Sequence, residues 1–227
     1  MNQSQVTRDV DIVFVIDATA SMTPIMDSVK AGAKRFRTDL EAKIEELGGS
    51  IGRLRVRLIT FRDFGVDANP LDASDFFELP DDQDIFEEKL NSITPSGGGD
   101  LPEDGFEALY TAFQSDFTQG NRDRQVIVLF TDADATPMGA HKDAAGYPAD
   151  MGNISDLVDM WSCNVQGGPP SKLVKKTRRL VVFAPADTAY AELVTTMEQT
   201  HFEPVEPGKG LEGISFDVIV KIVASSI

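Results

Sequence analysis

The sequence predicts an α/β fold: a doubly wound, mostly parallel sheet with helices on both faces and one short antiparallel edge strand. Three observations predict it. Residues 10–16 (VDIVFVI), 125–130 (QVIVLF) and 180–183 (LVVF) are near-continuous apolar, β-branched runs, the pattern of strands covered on both faces. Between them lie stretches whose apolar residues recur every three or four positions, the period of a helix with one buried stripe. The two kinds of segment alternate along the chain, which calls for parallel strands joined by helical crossovers.

Taken in order, residues 1–8 read as a polar lead-in, and 9–227 as a single domain. After the first strand comes a loop of small residues, DATAS, and then Thr23-Pro24, read as N-cap and first helical residue. Ile25, Val29, Ala33, Phe36, Leu40, Ile44 and Leu47 form one stripe on a long helix, which Gly48-Gly49 ends. Residues 54–61 (LRVRLITF) form the next strand, and 75–79 a short edge strand. A helix over 82–92 turns Ile85, Phe86 and Leu90 inward. The glycine-rich turn SGGGDLPED leads to a helix over 103–117 with Phe106, Leu109, Tyr110 and Phe113 on one face. Residues 133–170, rich in Gly, Pro, Ala and Asp, form a long insertion with a short helix at 154–161, and a segment of that length is usually functional or mobile. A helix over 189–199, a strand over 202–205 and a last helix over 215–226, with Phe216, Ile219, Val220 and Val223 inward, complete the pattern.

Bulk composition narrows the function. The 37 acidic residues against 21 Lys and Arg give a formal net charge of -16. Such a surface repels phosphate backbones and anionic membranes and suits cationic partners and hard metal ions. The single cysteine, Cys163, rules out an internal disulfide and a cysteine-based zinc site. The first residues lack a basic and apolar leader and no run is long enough to span a bilayer, so a cytoplasmic protein is expected. His141 and His201 are isolated in sequence and read as structural or solvated, and Trp161 as an anchor for the insertion.

In open parallel sheets ligands bind beyond the carboxyl ends of the strands, where strand order reverses. The first strand and the QVIVLF strand flank that point, and their terminal acids are Asp17 and Asp132. Three segments meet there: Asp17-Ala-Thr19-Ala-Ser21, Gly97-Gly-Gly-Asp100-Leu-Pro-Glu103 and Thr131-Asp132. Every candidate ligand is an oxygen, as hard divalent ions require. The alanines let the first loop curl and the glycines let the second approach closely.

DIVFVIDATASM resembles the first motif of the von Willebrand factor type A domain, whose metal-ion-dependent adhesion site reads Asp-x-Ser-x-Ser. Thr19 replaces the first serine and keeps its hydroxyl. GGGDLPEDGFEAL resembles the second loop, in the Asp-x-Pro-Glu version of integrin β-subunits and many bacterial members, and VIVLFTDA resembles the third segment. The resemblance, to the bacterial stand-alone type, runs from about residue 9 to 227. It implies that Asp17, Thr19, Ser21, Glu103 and Asp132 bind Mg²⁺ (or Ca²⁺ or Mn²⁺), some through water, with Asp100 as a further candidate. It also implies an open coordination position filled by an Asp or Glu of a partner protein. Integrin β-subunits carry consecutive acids after the serine pair for an adjacent metal. The matching stretch here is Met22-Thr23-Pro24, so that neighbouring ion is not expected.

Two other readings compete. A strand ending in Asp, with a hydroxyl two residues on, also resembles the haloacid-dehalogenase-like phosphatases. Their proton donor is an acid two residues after the nucleophile, and Thr19 holds that position, so no enzyme is expected. The other is a scaffold whose metal is structural, with partners on a helix face.

Overall fold

The computed structural model describes residues 6–99, 102–120, 123–163, 172–206, 218, 220–222 and 224. Its centre is β1 (Val6–Asp17), flanked by parallel β2 (Gly49–Phe61) and parallel β5 (Arg124–Phe130). Beyond β5 lie parallel β6 (Arg178–Pro185) and β7 (Thr200–Val205). β3 (Leu71–Ala73) and β4 (Phe77–Leu79) both run antiparallel to β2. The order is β3-β2-β1-β5-β6-β7, with β4 also on β2. The next strand in sequence after β1 sits on one side of it and β5 on the other, so the order reverses at β1 and opens a crevice at its carboxyl end.

Helices cover both faces. α1 (Thr23–Glu46) and α2 (Gln83–Ser92) pack on one, and α3 (Gly105–Phe113), α4 (Ile154–Ser162) and α5 (Ala189–Thr196) on the other. Alternation along β1 divides its side chains between the two cores: Val10, Ile12, Phe14 and Ile16 face α1, while Val13 and Val15 face α3. Phe14 meets Phe36 of α1 edge-on at 5.4 Å and Phe130 of β5 stacks on Phe183 of β6 at 5.2 Å, so aromatic packing ties neighbouring strands to the covering helix.

Several elements depart from the sequence expectation. Residues 6–8 of the expected lead-in belong to β1, because Val6–Arg8 pair with Gly49–Ile51. The antiparallel edge consists of two three-residue pieces rather than one strand over 75–79. Of the α1 stripe, Ala33, Phe36, Leu40 and Ile44 are buried, joined by Met26, whereas Leu47 follows the helix and is exposed. The side chains of Ile25 and Val29 lie outside the described residues. Ile85 also faces solvent, while Phe86 and Leu90 point inward. α3 begins at Gly105, not at Glu103, and ends at Phe113, but its expected inner face is buried as a set. α5 ends at Thr196 because β7 begins at Thr200. Of the last helix, Val220 and Ala224 are helical and buried, whereas Phe216, Ile219 and Val223 lie outside the described residues. Trp161 anchors α4 as expected: it is fully buried against Phe113, and its indole N–H donates to Glu198 O at 2.8 Å.

Candidate metal centre

β1 ends on Asp17, and Ala18 N still donates to Phe61 O at 2.9 Å, so the loop leaves the sheet in a fixed direction. Thr19 is extended (φ -72°, ψ 166°) and heads the short 3-10 turn Ala20–Met22, which runs into α1. This turn carries the second hydroxyl back to the first. Asp17 Oδ1 accepts from Thr19 N at 2.9 Å and from Thr19 Oγ1 at 2.6 Å. Thr19 Oγ1 lies 3.0 Å from Ser21 Oγ, and Ser21 Oγ donates to Asp132 Oδ1 at 2.9 Å. Thr131 Oγ1 donates to Asp17 Oδ2 at 2.8 Å, closing the set from the β5 side.

The glycine-rich loop hangs on the first loop by backbone bonds: Ser96 N donates to Ala18 O at 2.9 Å and Ala20 N to Gly97 O at 3.2 Å. Gly98 has φ +70°, and a Cβ there would lie 2.7 Å from Glu103 Oε1 and 2.8 Å from Thr19 Cβ. Only glycine permits that turn and that approach. Glu103 is fixed by the loop after β5, for Glu103 N donates to Asp134 O at 3.0 Å and Thr136 N to Glu103 O at 2.8 Å. The three expected segments therefore converge. Asp17, Thr19, Ser21, Glu103 and Asp132 lie at one crevice, and Asp100 lies outside the described residues.

The electrostatics are those of a site short of positive charge. Asp17 is 0% exposed, and Glu103 and Asp132 are each 3% exposed. Burial raises Asp17 to about 6, against the hydrogen bonds from Thr19 and Thr131 that lower it, and Asp132 raises it further. Burial raises Glu103 to about 8, with Asp17, Asp63, Asp67 and Asp104 adding to the effect. Glu103 Oε2 and Asp132 Oδ2 are buried with no hydrogen-bond partner. Orphaned carboxylate oxygens among hydroxyls, with Ser21 exposed at the rim, form a donor set that fits a hard divalent cation reached from solvent. A cleft of about 480 Å³ opens beside Asp132, lined in part by Pro102, Ala133, Pro185, Thr188 and Val205.

Two residues near the crevice, Asp63 and Asp104, escaped the sequence reading, and His141, read there as isolated, lies beside them. Thr131, read only as part of the third segment, holds Asp17. Asp63, Asp104 and His141 form a second cluster, and their spacing in the chain carries no signal.

Comparison with known proteins agrees with this architecture. The chain is 28% identical over 160 residues to the alpha-protein kinase vwkA of Dictyostelium discoideum, covering 69% of this chain and 24% of that protein. It thus spans about a quarter of that relative's length. The pilus adhesin SpaC of Lactobacillus rhamnosus GG superposes with a TM-score of 0.55 at 13% identity, over 96% of this chain and 30% of the adhesin. Proximal thread matrix protein 1 of the mussel byssus, in a form with a zinc-occupied adhesion-site motif, superposes with a TM-score of 0.51 at 15% identity, over 96% of this chain and 46% of that one. Among the described residues, no helix is long and apolar enough to cross a membrane. The family model of the von Willebrand factor A domain matches residues 11–144. That span holds the second half of the first strand, all three converging segments and the sheet's switch point, and the chain belongs to the von Willebrand factor A domain family.

Proposed function

We propose that this domain binds another protein through a divalent cation, Mg²⁺ or else Ca²⁺ or Mn²⁺. Asp17, Thr19, Ser21, Glu103 and Asp132 hold it directly or through water, and Asp100 is a further candidate. The carrying observation is the pair of buried, partnerless carboxylate oxygens on Glu103 and Asp132, with no Lys or Arg paired to either acid among the described residues. A bound cation supplies an electrophilic open position that attracts an outside carboxylate. The chain's own residues do the rest. Thr19 and Thr131 orient Asp17, Ser21 ties the first loop to Asp132, and the Asp134–Thr136 backbone holds Glu103 in place. An Asp or Glu of the partner completes the site, and its neighbouring residues have room in the cleft beside Asp132.

The adhesin and byssal matrix neighbours support an interaction role rather than catalysis. Thr19, which donates its hydroxyl to Asp17, leaves no acid at the position where a phosphatase of the competing type needs one. A cytoplasmic location is part of the proposal. The test is capture of partners from lysate of the source cells in Mg²⁺ and in EDTA, with wild type and Asp132→Ala side by side. Partners retained only by wild type in Mg²⁺ are expected. Partners held equally in EDTA and by Asp132→Ala would sink the proposal and favour a structural metal with docking on a helix face.

A further inference from the structure

Beside the first crevice, the loop after β2, the residue ahead of α3 and the segment after β5 bring three side chains together. Ligand atoms of Asp63, Asp104 and His141 all lie within 4.8 Å of one another. His141 Nδ1 is 3.2 Å from Asp63 Oδ1, 2.9 Å from Asp104 Oδ2 and 3.2 Å from Asp104 Oδ1. We infer that Asp63, Asp104 and His141 form a second cation site, separate from the first, that takes a borderline transition ion such as Zn²⁺, Mn²⁺ or Co²⁺.

The separations fit. Bonds of about 2.1 Å place neighbouring ligands about 3.0 Å apart in an octahedron and about 3.4 Å apart in a tetrahedron. A salt bridge with a protonated imidazole has similar distances, so charge and burial decide between the two. Asp63 is 6% exposed, Asp104 is fully buried, and Glu107, one helical turn on from Asp104, is also fully buried. Glu107 Oε1 accepts from Gly139 N and the Tyr147 hydroxyl, on the segment that carries His141, while its Oε2 has no partner. Among the described residues no Lys or Arg pairs with any of these three acids, so His141 is the one basic side chain paired with buried carboxyls here. A divalent ion carries twice the charge of an imidazolium and also binds a neutral imidazole.

The scaffold is firm where a ligand set must be. Phe64 N donates to Asp104 Oδ2 at 2.6 Å, and Gly65 packs so near that a Cβ would lie 2.9 Å from Asp63 Oδ1 and 3.0 Å from His141 Nε2. The His141 side chain is 28% exposed, so an ion has a path from solvent. One nitrogen with carboxylate oxygens favours the transition ions over Mg²⁺, whereas the first crevice offers oxygen alone. The two sites share no side chain, so each can be removed by itself.

The test is Zn²⁺ titration calorimetry on the tag-free full chain with Mg²⁺ in excess, on wild type, His141→Ala, Asp63→Asn and Asp17→Ala, each checked by circular dichroism. Wild type should take up one Zn²⁺ that Asp17→Ala still binds and that His141→Ala binds at least about tenfold more weakly. Long-range ¹H–¹⁵N spectra of wild type, with His141→Gln for assignment, give a readout independent of any variant's folding. The His141 ring nitrogens should move on Zn²⁺ addition, and those of His201 should not. No Zn²⁺ uptake above Mg²⁺, uptake lost in Asp17→Ala but kept in His141→Ala, or unmoved His141 resonances would each overturn the second site. Zn²⁺ uptake by Asp17→Ala and the shift of the His141 resonances do not depend on whether Mg²⁺ or a partner binds at the first crevice.

Discussion

Ser21 Oγ donates to Asp132 Oδ1 at 2.9 Å across 111 residues of sequence. That one bond joins the loop after β1 to the loop after β5 and leaves Asp132 Oδ2 free for another partner. The crevice is therefore ordered before any ion arrives, which lowers the cost of binding one. Ser21→Ala removes both a proposed ligand and this tie. Because Ser21 is exposed, the fold should lose less than about 1 kcal/mol. Mg²⁺ affinity should fall roughly 10- to 100-fold, read by calorimetry beside a urea melt. Equal Mg²⁺ affinity in wild type and variant would remove Ser21 from the site.

The two raised acids set a pH dependence. Glu103, at about 8 in the fold, and Asp17, at about 6, both hold protons more tightly folded than unfolded. Between about pH 4.5 and 8 the native state binds more protons than the unfolded chain, so metal-free stability falls as pH rises through that window. Cations compete with those protons, so Mg²⁺ should raise the melting temperature more at pH 8 than at pH 5.5, with protons released on binding. Melting scans in EDTA and in Mg²⁺ across that range check both halves. A metal-free melting temperature that climbs from pH 5.5 to 8 would contradict the assignment of the two acids.

What the sequence disclosed follows from what is local. Residues 10–16 announce a strand because burial on both faces leaves a run of apolar side chains, and Asp17, Thr19 and Ser21 lie within one turn of each other. Asp132 is legible because it lies two residues past the end of the neighbouring strand, β5. Glu103 is recognisable by its motif, but its position is not. Spacing puts it inside a helix, whereas a parallel bridge with Ala135 holds it ahead of α3. Leu47 and Ile85 continue an apolar period yet face solvent, since single exposed apolar residues cost little. β3 is three residues long and takes its conformation from β2, so no alternation betrays it. Asp63, Asp104 and His141 come from three loops 37 and 41 residues apart and meet only through the fold.

Gly98 tests how closely the second loop must approach. Its φ of +70° is strained for any other residue, and an added Cβ would crowd Glu103 Oε1 and Thr19 Cβ. Gly98→Ala should cost about 1–3 kcal/mol from the backbone alone. It should also displace Glu103 and weaken Mg²⁺ binding on the order of tenfold. Gly139 makes the control: its φ is +84° but nothing lies within 4 Å of an added Cβ, so Gly139→Ala should carry the backbone strain with Mg²⁺ binding unchanged. If both variants bind Mg²⁺ like wild type, the loop contact has no part in holding the ion.

Asp11 supplies the opposite case, a buried acid with a purely structural task. It is 1% exposed, and Arg55 holds it with two bonds, Nε to Oδ1 at 2.8 Å and Nη2 to Oδ2 at 2.6 Å. Thr118 N also donates to Oδ2, and the Arg55 guanidinium lies 4.4 Å over the Phe76 ring. The pair thus fastens β1 and β2 to the chain after α3. Asp11→Ala leaves a largely covered guanidinium and a backbone N–H without their acceptor, and should cost about 3–5 kcal/mol in urea unfolding. Six residues of strand, about 20 Å, separate Asp11 from Asp17. Over that distance in salt the two charges are screened from each other, so Mg²⁺ affinity of the folded variant should match wild type. Asp17→Ala should show the reverse, with Mg²⁺ binding weakened at least about 100-fold and the metal-free fold intact. A loss of Mg²⁺ affinity in folded Asp11→Ala would mean that the strand pairing, and not only its carboxyl end, shapes the crevice.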